Sequence, residues 1–200
     1  MLKAVEHAWA SLRLPDRIEP GVRVLFIGIN PGVRSAQTGH HFAGYSNRFW
    51  KLLWESKLVP EPVTYEDDDR LPAFGFGITN LIARPSPGID VLKPAEYVEG
   101  WTVVERKIEK YRPEVLAIVG VMVYRAILPL ISASGDGQRP RSPHPEKATG
   151  PQPHLVHGAR VFVLPNPSGR NANYSYAEML EVFRSLRRAL ARGGTRRGSS

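Results

Sequence analysis

Four stretches of this chain are apolar along almost their whole length: VRVLFIGI (22–29), FGFGITNL (74–81), VLAIVG (115–120) and RVFVLP (160–165). A strand with one wet face alternates polar and apolar residues. Runs without alternation are strands covered on both faces, the condition of a parallel sheet. Helix-forming segments separate them. NRFWKLLWES follows Asn47, a good helix cap, and GWTVVERKIEKY places Trp101, Val104, Ile108 and Tyr111 on one face. YAEMLEVFRSLRRAL opens with Ser175 and Glu178, the spacing of a capping box. The alternation predicts an α/β fold: a three-layer α/β/α sandwich around a central, mainly parallel four-stranded sheet.

Two hundred residues make one full core, so residues 1–190 are expected to form a single domain. Residues 132–154, rich in Pro, Gly and charge, are expected as a long surface loop, and 191–200 as a basic flexible tail. The formal charge of +8 points to a polyanionic partner. With no cysteine, disulfides, thiolate metal sites and cysteine nucleophiles are excluded. Apart from a loose pair in the long loop, the six histidines lack zinc-ligand spacing, and neither a metal nor a cofactor is expected. No stretch has the roughly 20 apolar residues of a membrane span. The first residues lack a signal-peptide pattern, so a cytoplasmic, nucleoid-associated monomer is the expectation. EDDDR (66–70) reads as a solvated acidic turn.

Ligands of open α/β sheets bind beyond the carboxyl ends of the strands. Three strands here run into unusual polar turns: GINPG, TNLIARPSPG and LPNPSGRN. In the first and last, a proline fixes the turn directly behind an asparagine, Asn30 and Asn166. One such turn is an ordinary strand–helix connection; two suggest a shared crevice. IGINPG is not G-x-G-x-x-G, and no phosphate-binding G-K-S/T is present.

GINPG, then SAQTGHHFAGYSNRFWKLLWES, then NPSGRN, in this order, resemble the mismatch-specific uracil/thymine-DNA glycosylases of the uracil-DNA glycosylase superfamily. The similarity covers roughly residues 20–190 and includes TNLIARPSPG and RKIEKYRPEVLAIVG. It implies an enzyme that extrudes a damaged or mispaired base from double-stranded DNA and hydrolyses its N-glycosidic bond. By resemblance, Asn30 positions the attacking water, and Asn166 lies near the departing uracil anion. Ile29, Phe42, Asn80, Ser86 and Ser35 would form the base pocket, with Phe42 as the stacking surface. Arg170 would be the wedge that fills the vacated stack, and Gly169 and Ser168 would meet the DNA backbone.

Plainer readings stand beside these. Asn80 is equally a strand-terminal turn residue, Ser35 an inert loop serine, and Arg170 a phosphate contact. Asn47 reads better as a cap than as a ligand. The alternatives for the whole chain are a single-strand-selective uracil glycosylase of the same superfamily and a non-catalytic DNA-damage binder. In this pattern the first motif carries an amide where faster relatives carry an acid, so a modest rate is expected. Uracil opposite guanine is the expected substrate.

Overall fold

The computed structural model describes residues 8–134 and 148–194. Its centre is a five-stranded sheet of β1 (Val24–Gly28), β2 (Phe76–Asn80), β3 (Val115–Val119), β4 (Gly150–Val156) and β5 (Ala159–Leu164) in the order β2-β1-β3-β5-β4. All neighbours are parallel except β4, which runs antiparallel to β5. The three central strands are the apolar runs, buried at almost every position.

The helices cover both faces. Helices α2 (Phe49–Glu55) and α5 (Tyr176–Gly194) pack with Val24, Phe26, Ala117, Phe162 and Leu164 on one side. Helices α3 (Pro94–Tyr111) and α4 (Val121–Ser134) pack with Leu25, Ile27, Leu116, Ile118 and Val163 on the other. A short α1 (Val33–Thr38) follows the first turn. Ser175 and Glu178 form the reciprocal cap of α5: the Glu178 carboxylate accepts from Ser175 N–H at 2.7 Å, and Ser175 Oγ from Glu178 N–H at 3.3 Å. Asn47 Oδ1 accepts from Phe49 N–H at 2.9 Å at the start of α2.

Three expectations change. The sheet has a fifth strand, taken from the end of the supposed loop. GPQPHLV contains two prolines, which lack ladder donors and are confined to edges; β4 is such an edge, with a register shift between Pro151 and Leu155. A tight hairpin joins β4 to β5, His157 and Gly158 both taking left-handed backbone (φ 47° and 80°). Of residues 132–154, then, 132–134 finish α4 and 150–154 belong to β4, while 135–147 lie outside the described residues. The expected tail from 191 begins inside α5, which continues to Gly194; 195–200 lie outside the described residues. The opposite sheet edge is covered by the segment before β1, where Arg17 and Ile78 exchange both backbone bonds (3.0 and 2.8 Å).

Candidate active site

Sheet order reverses beside β1: the chain goes from β1 to β2 on one side and to β3 on the other. Beyond the carboxyl ends of the strands at this switch point lies a cavity of about 590 Å³. Ile29 and Asn30 enter it from β1, Asn80 from β2, Gly120 from β3 and Asn166 from β5. Asn30 and Asn166 share this crevice although β3 stands between their strands, because β3 ends in Gly120, whose φ of 121° and missing side chain leave the floor open.

The turns after β1 and β2 are laced together. Leu81 and Ile82 donate to the carbonyls of Gly28 and Ile29 (2.8 Å each), and Ser86 N–H to Pro31 O at 3.1 Å. This brings the Asn30 amide against acceptors only: Nδ2 donates to Ser86 Oγ at 2.7 Å, Arg84 O at 3.1 Å and Pro31 O at 3.3 Å. The Ser86 hydroxyl spends its proton on Gly88 O at 2.6 Å, so it can only accept from Asn30. Carbonyls cannot donate, which fixes the amide with its nitrogen in the turn. Oδ1 is left as an acceptor without a protein donor among the described residues.

Asn166 is fixed the other way. Its Oδ1 accepts from Ser168 N–H at 3.1 Å, a group that can only donate, and its carbonyl accepts from Asn171 Nδ2 at 2.8 Å. Nδ2 has no acceptor among the described residues and keeps both protons as unspent donors. One cavity thus carries two asparagines in opposite orientation, the first presenting an acceptor and the second presenting donors.

Phe42 lies at the cavity wall, stacked on Phe49 with centroids 4.1 Å apart and planes 24° apart. Its φ of 53° is left-handed, a conformation phenylalanine rarely adopts, so the surroundings must hold it. They do so on both sides. Gly39 O accepts from Arg17 (3.3 Å), His41 N–H donates to Asp68 Oδ2 (2.8 Å) and His41 O accepts from Trp50 Nε1 (3.1 Å). Ala43 N–H donates to Ser35 Oγ (3.1 Å), and Ala43 O accepts from Arg34 Nε (2.7 Å). Gly28 is required beneath: a Cβ there would stand 2.7 Å from Asn80 Oδ1 and 3.5 Å from the Phe42 ring.

Asp68 corrects the reading of EDDDR as a solvated turn. Its side chain is fully buried and also accepts from Arg17 Nε at 2.9 Å, with His40 Nδ1 at 3.1 Å. Nothing local marks it, because its partners lie 27 to 51 residues away. His41 is buried too, its Nε2 3.0 Å from Pro15 O, and that burial holds its imidazole below the ordinary pKa.

The remaining candidates divide. Asn80 lines the cavity with its amide unspent among the described residues; Ser35 lines it but is committed to Ala43. Ser86 sits behind Asn30 rather than in the cavity wall. Ser168 lines the rim, its N–H already taken by Asn166. Gly169 lies on the neighbouring loop, where a Cβ would come within 2.6 Å of Ser46 Cβ. Arg170 stands exposed at the rim, its guanidinium without a protein partner among the described residues. Among the described residues no Asp, Glu or Lys lines the cavity. Among the described residues no group of three or more His, Asp or Glu could hold a metal, and no helix is long and apolar enough to cross a membrane.

The Uracil DNA glycosylase superfamily model matches residues 15–190. The chain is similar to a G/U mismatch-specific uracil DNA glycosylase of Schizosaccharomyces pombe, 38% identical over 165 residues that make up 81% of this chain and 49% of the relative. It spans about half the length of that protein. A parallel sheet with helices on both faces, a crevice at its switch point and a family match along nearly all of the chain lead to one conclusion: the chain belongs to the uracil DNA glycosylase superfamily.

Proposed function

We propose that this protein is a monofunctional DNA glycosylase that extrudes uracil from mispairs with guanine and hydrolyses its N-glycosidic bond, acting as a monomer. The observation that carries the reading is the opposed pair of amides. Asn30 Oδ1 accepts a hydrogen bond from a water and aims its oxygen at C1′ of the extruded nucleotide. As the C1′–N1 bond breaks, its electron pair leaves with the base as the uracil anion. Asn166 Nδ2 supplies donors where that charge develops. The water oxygen bonds to C1′ and its proton passes to solvent, which leaves an abasic site. An asparagine cannot remove the proton as a carboxylate would, so rate rests on positioning and on the stability of the leaving anion. Phe42 is the face on which the base stacks, Asn80 reads its edge, and Ser86 acts through Asn30. With no lysine in the cavity wall among the described residues, no Schiff base is formed and the strand is not cut.

Arg170 is the wedge in this reading. It fills the hole left by the base and pairs with the orphaned guanine, for which its planar head is suited. Single-turnover cleavage of U·G, U·A and single-stranded uracil substrates tests the whole proposal. Asn30→Ala should abolish most release while abasic-DNA binding stays nearly intact. Arg170→Ala should slow duplex cleavage far more than single-strand cleavage and narrow the preference for guanine. Equal fractional losses on all three substrates would make Arg170 a phosphate contact. Absence of turnover by the wild-type chain would leave a damage-binding protein.

A further inference from the structure

Tyr45 is the most exposed large hydrophobic side chain among the described residues, at 90%. It flanks the rim of the cavity without lining it: its neighbours Gly44, Ser46 and Asn47 line the opening, and Ser46 packs against Gly169 of the turn that carries Arg170. A phenol in this setting adds nothing to the core, yet it is held in place. The Arg34 guanidinium sits 3.8 Å from its ring centroid. Arg34 is itself anchored, donating to Ala43 O at 2.7 Å and Tyr65 Oη at 3.3 Å. One ring face thus rests on a braced cation, while the other is open to water beside the place where a nucleotide leaves its stack.

We infer that Tyr45 is a second stacking platform, which receives an unpaired nucleobase of the target strand next to the extruded one. Three features of the site suit that occupant. The open face of a tyrosine stacks any base irrespective of sequence. Its fixed orientation removes much of the ordering cost of binding. The cation beneath it and the +8 chain attract a polyanion. Where flanking bases are paired they remain in the duplex and the platform is idle. Where the strand is single or the flank is mispaired, the platform adds grip. Arg170 and Tyr45 therefore divide the substrates: the wedge acts on paired DNA, the platform on unpaired DNA. The inference rests on the glycosylase reading of the cavity.

The test is binding of a tetrahydrofuran abasic analogue by fluorescence anisotropy in three settings: single-stranded, duplex with a mispaired neighbour, and duplex with paired neighbours. Tyr45→Ala should weaken the first two about tenfold, or about 1.4 kcal/mol, and the third less than about twofold. Tyr45→Phe should match wild type throughout. The salt slope should be the same for all three proteins, since no charge is removed. Thermal melting of the variants should be unchanged, because the side chain is exposed. Equal weakening by Phe and Ala would assign a hydroxyl contact to phosphate and overturn the platform. So would a loss of the same size on paired duplex, or no loss anywhere. A wild-type protein that binds no abasic DNA and releases no uracil would remove the glycosylase reading, whereas normal wild-type behaviour with an indifferent Tyr45→Ala removes only the platform.

Discussion

Two asparagines of identical chemistry present opposite atoms to one cavity because their neighbours differ in what they can give. Around Asn30 stand carbonyls and a committed hydroxyl; around Asn166 stands an N–H. Ser86 therefore matters through Asn30. Ser86→Ala removes the shortest of the three Nδ2 bonds and should lower single-turnover uracil release roughly tenfold, the worth of one hydrogen bond. Abasic-DNA affinity should hold, and Ser86→Thr should restore the rate. That the cavity wall holds no acid among the described residues has its own consequence. Without a general base the reaction depends on how readily the base leaves as an anion, so 5-fluorouracil should be released faster than uracil. Equal rates would mean that another step limits. His154 offers a stability test away from the site. Its Nε2 is buried without a hydrogen-bond partner among the described residues, and burial lowers its pKa, which favours the neutral form in the folded state. Stability from such a group is complete above the unfolded value of about 6.5 and is lost as pH falls toward the lowered folded one. His154→Phe should raise the melting temperature more at pH 5.5 than at pH 8; an equal shift at both would assign the effect to packing.

At the scale of elements, the decisive contacts join segments far apart in sequence. The loop 39–43 holds Phe42 in left-handed backbone only because Asp68, Arg17, Trp50, Ser35 and Arg34 take its polar groups. Asp68→Ala should cost about 3 kcal/mol by leaving Arg17 without its buried partner. In urea the midpoint should fall at unchanged slope. Asp68→Asn, which keeps an acceptor for His41 N–H, should lose less. This arrangement also marks the limit of what the sequence reveals. Strands β1, β3 and β5 are legible because burial on both faces leaves an uninterrupted apolar run. The α5 cap is legible because its two halves lie three residues apart. Asp68 is not, because EDDDR gives four acids of one local character, and only the fold decides that Asp68 is buried and Asp69 exposed. Strand β4 is hidden for a similar reason: its prolines signal a loop until a neighbouring strand makes them an edge. The turns carrying Asn30 and Asn166 stand out, but the orientation of each amide depends on Arg84, Ser86 and Ser168, which no spacing rule supplies.

For the molecule as a whole, the proposed function assigns charge and cavity to different stages of the reaction. Many acids are consumed locally: Glu96 is bound to Arg84 at 2.8 Å and held down to a pKa of about 2, first by that hydrogen bond. Glu114 pairs with Arg23, Glu181 with Arg188, and both Glu61 and Asp67 with Arg70. The chain's net charge is +8, and among the described residues the cavity wall adds to it only Arg170, at the rim. On the proposed function, the exterior governs encounter with DNA and the interior governs bond breaking. Binding of abasic duplex should therefore weaken steeply between 50 and 200 mM salt, on the order of a hundredfold or more for several phosphate contacts. Single-turnover release at saturating protein should barely change over the same range, because the extruded base is enclosed and the amides that serve it are fixed by hydrogen bonds rather than by long-range charge. Anisotropy titrations and quench assays on one U·G duplex separate the two. If the rate at saturation falls in step with affinity, then surface charge, and not the asparagine pair, sets the chemistry.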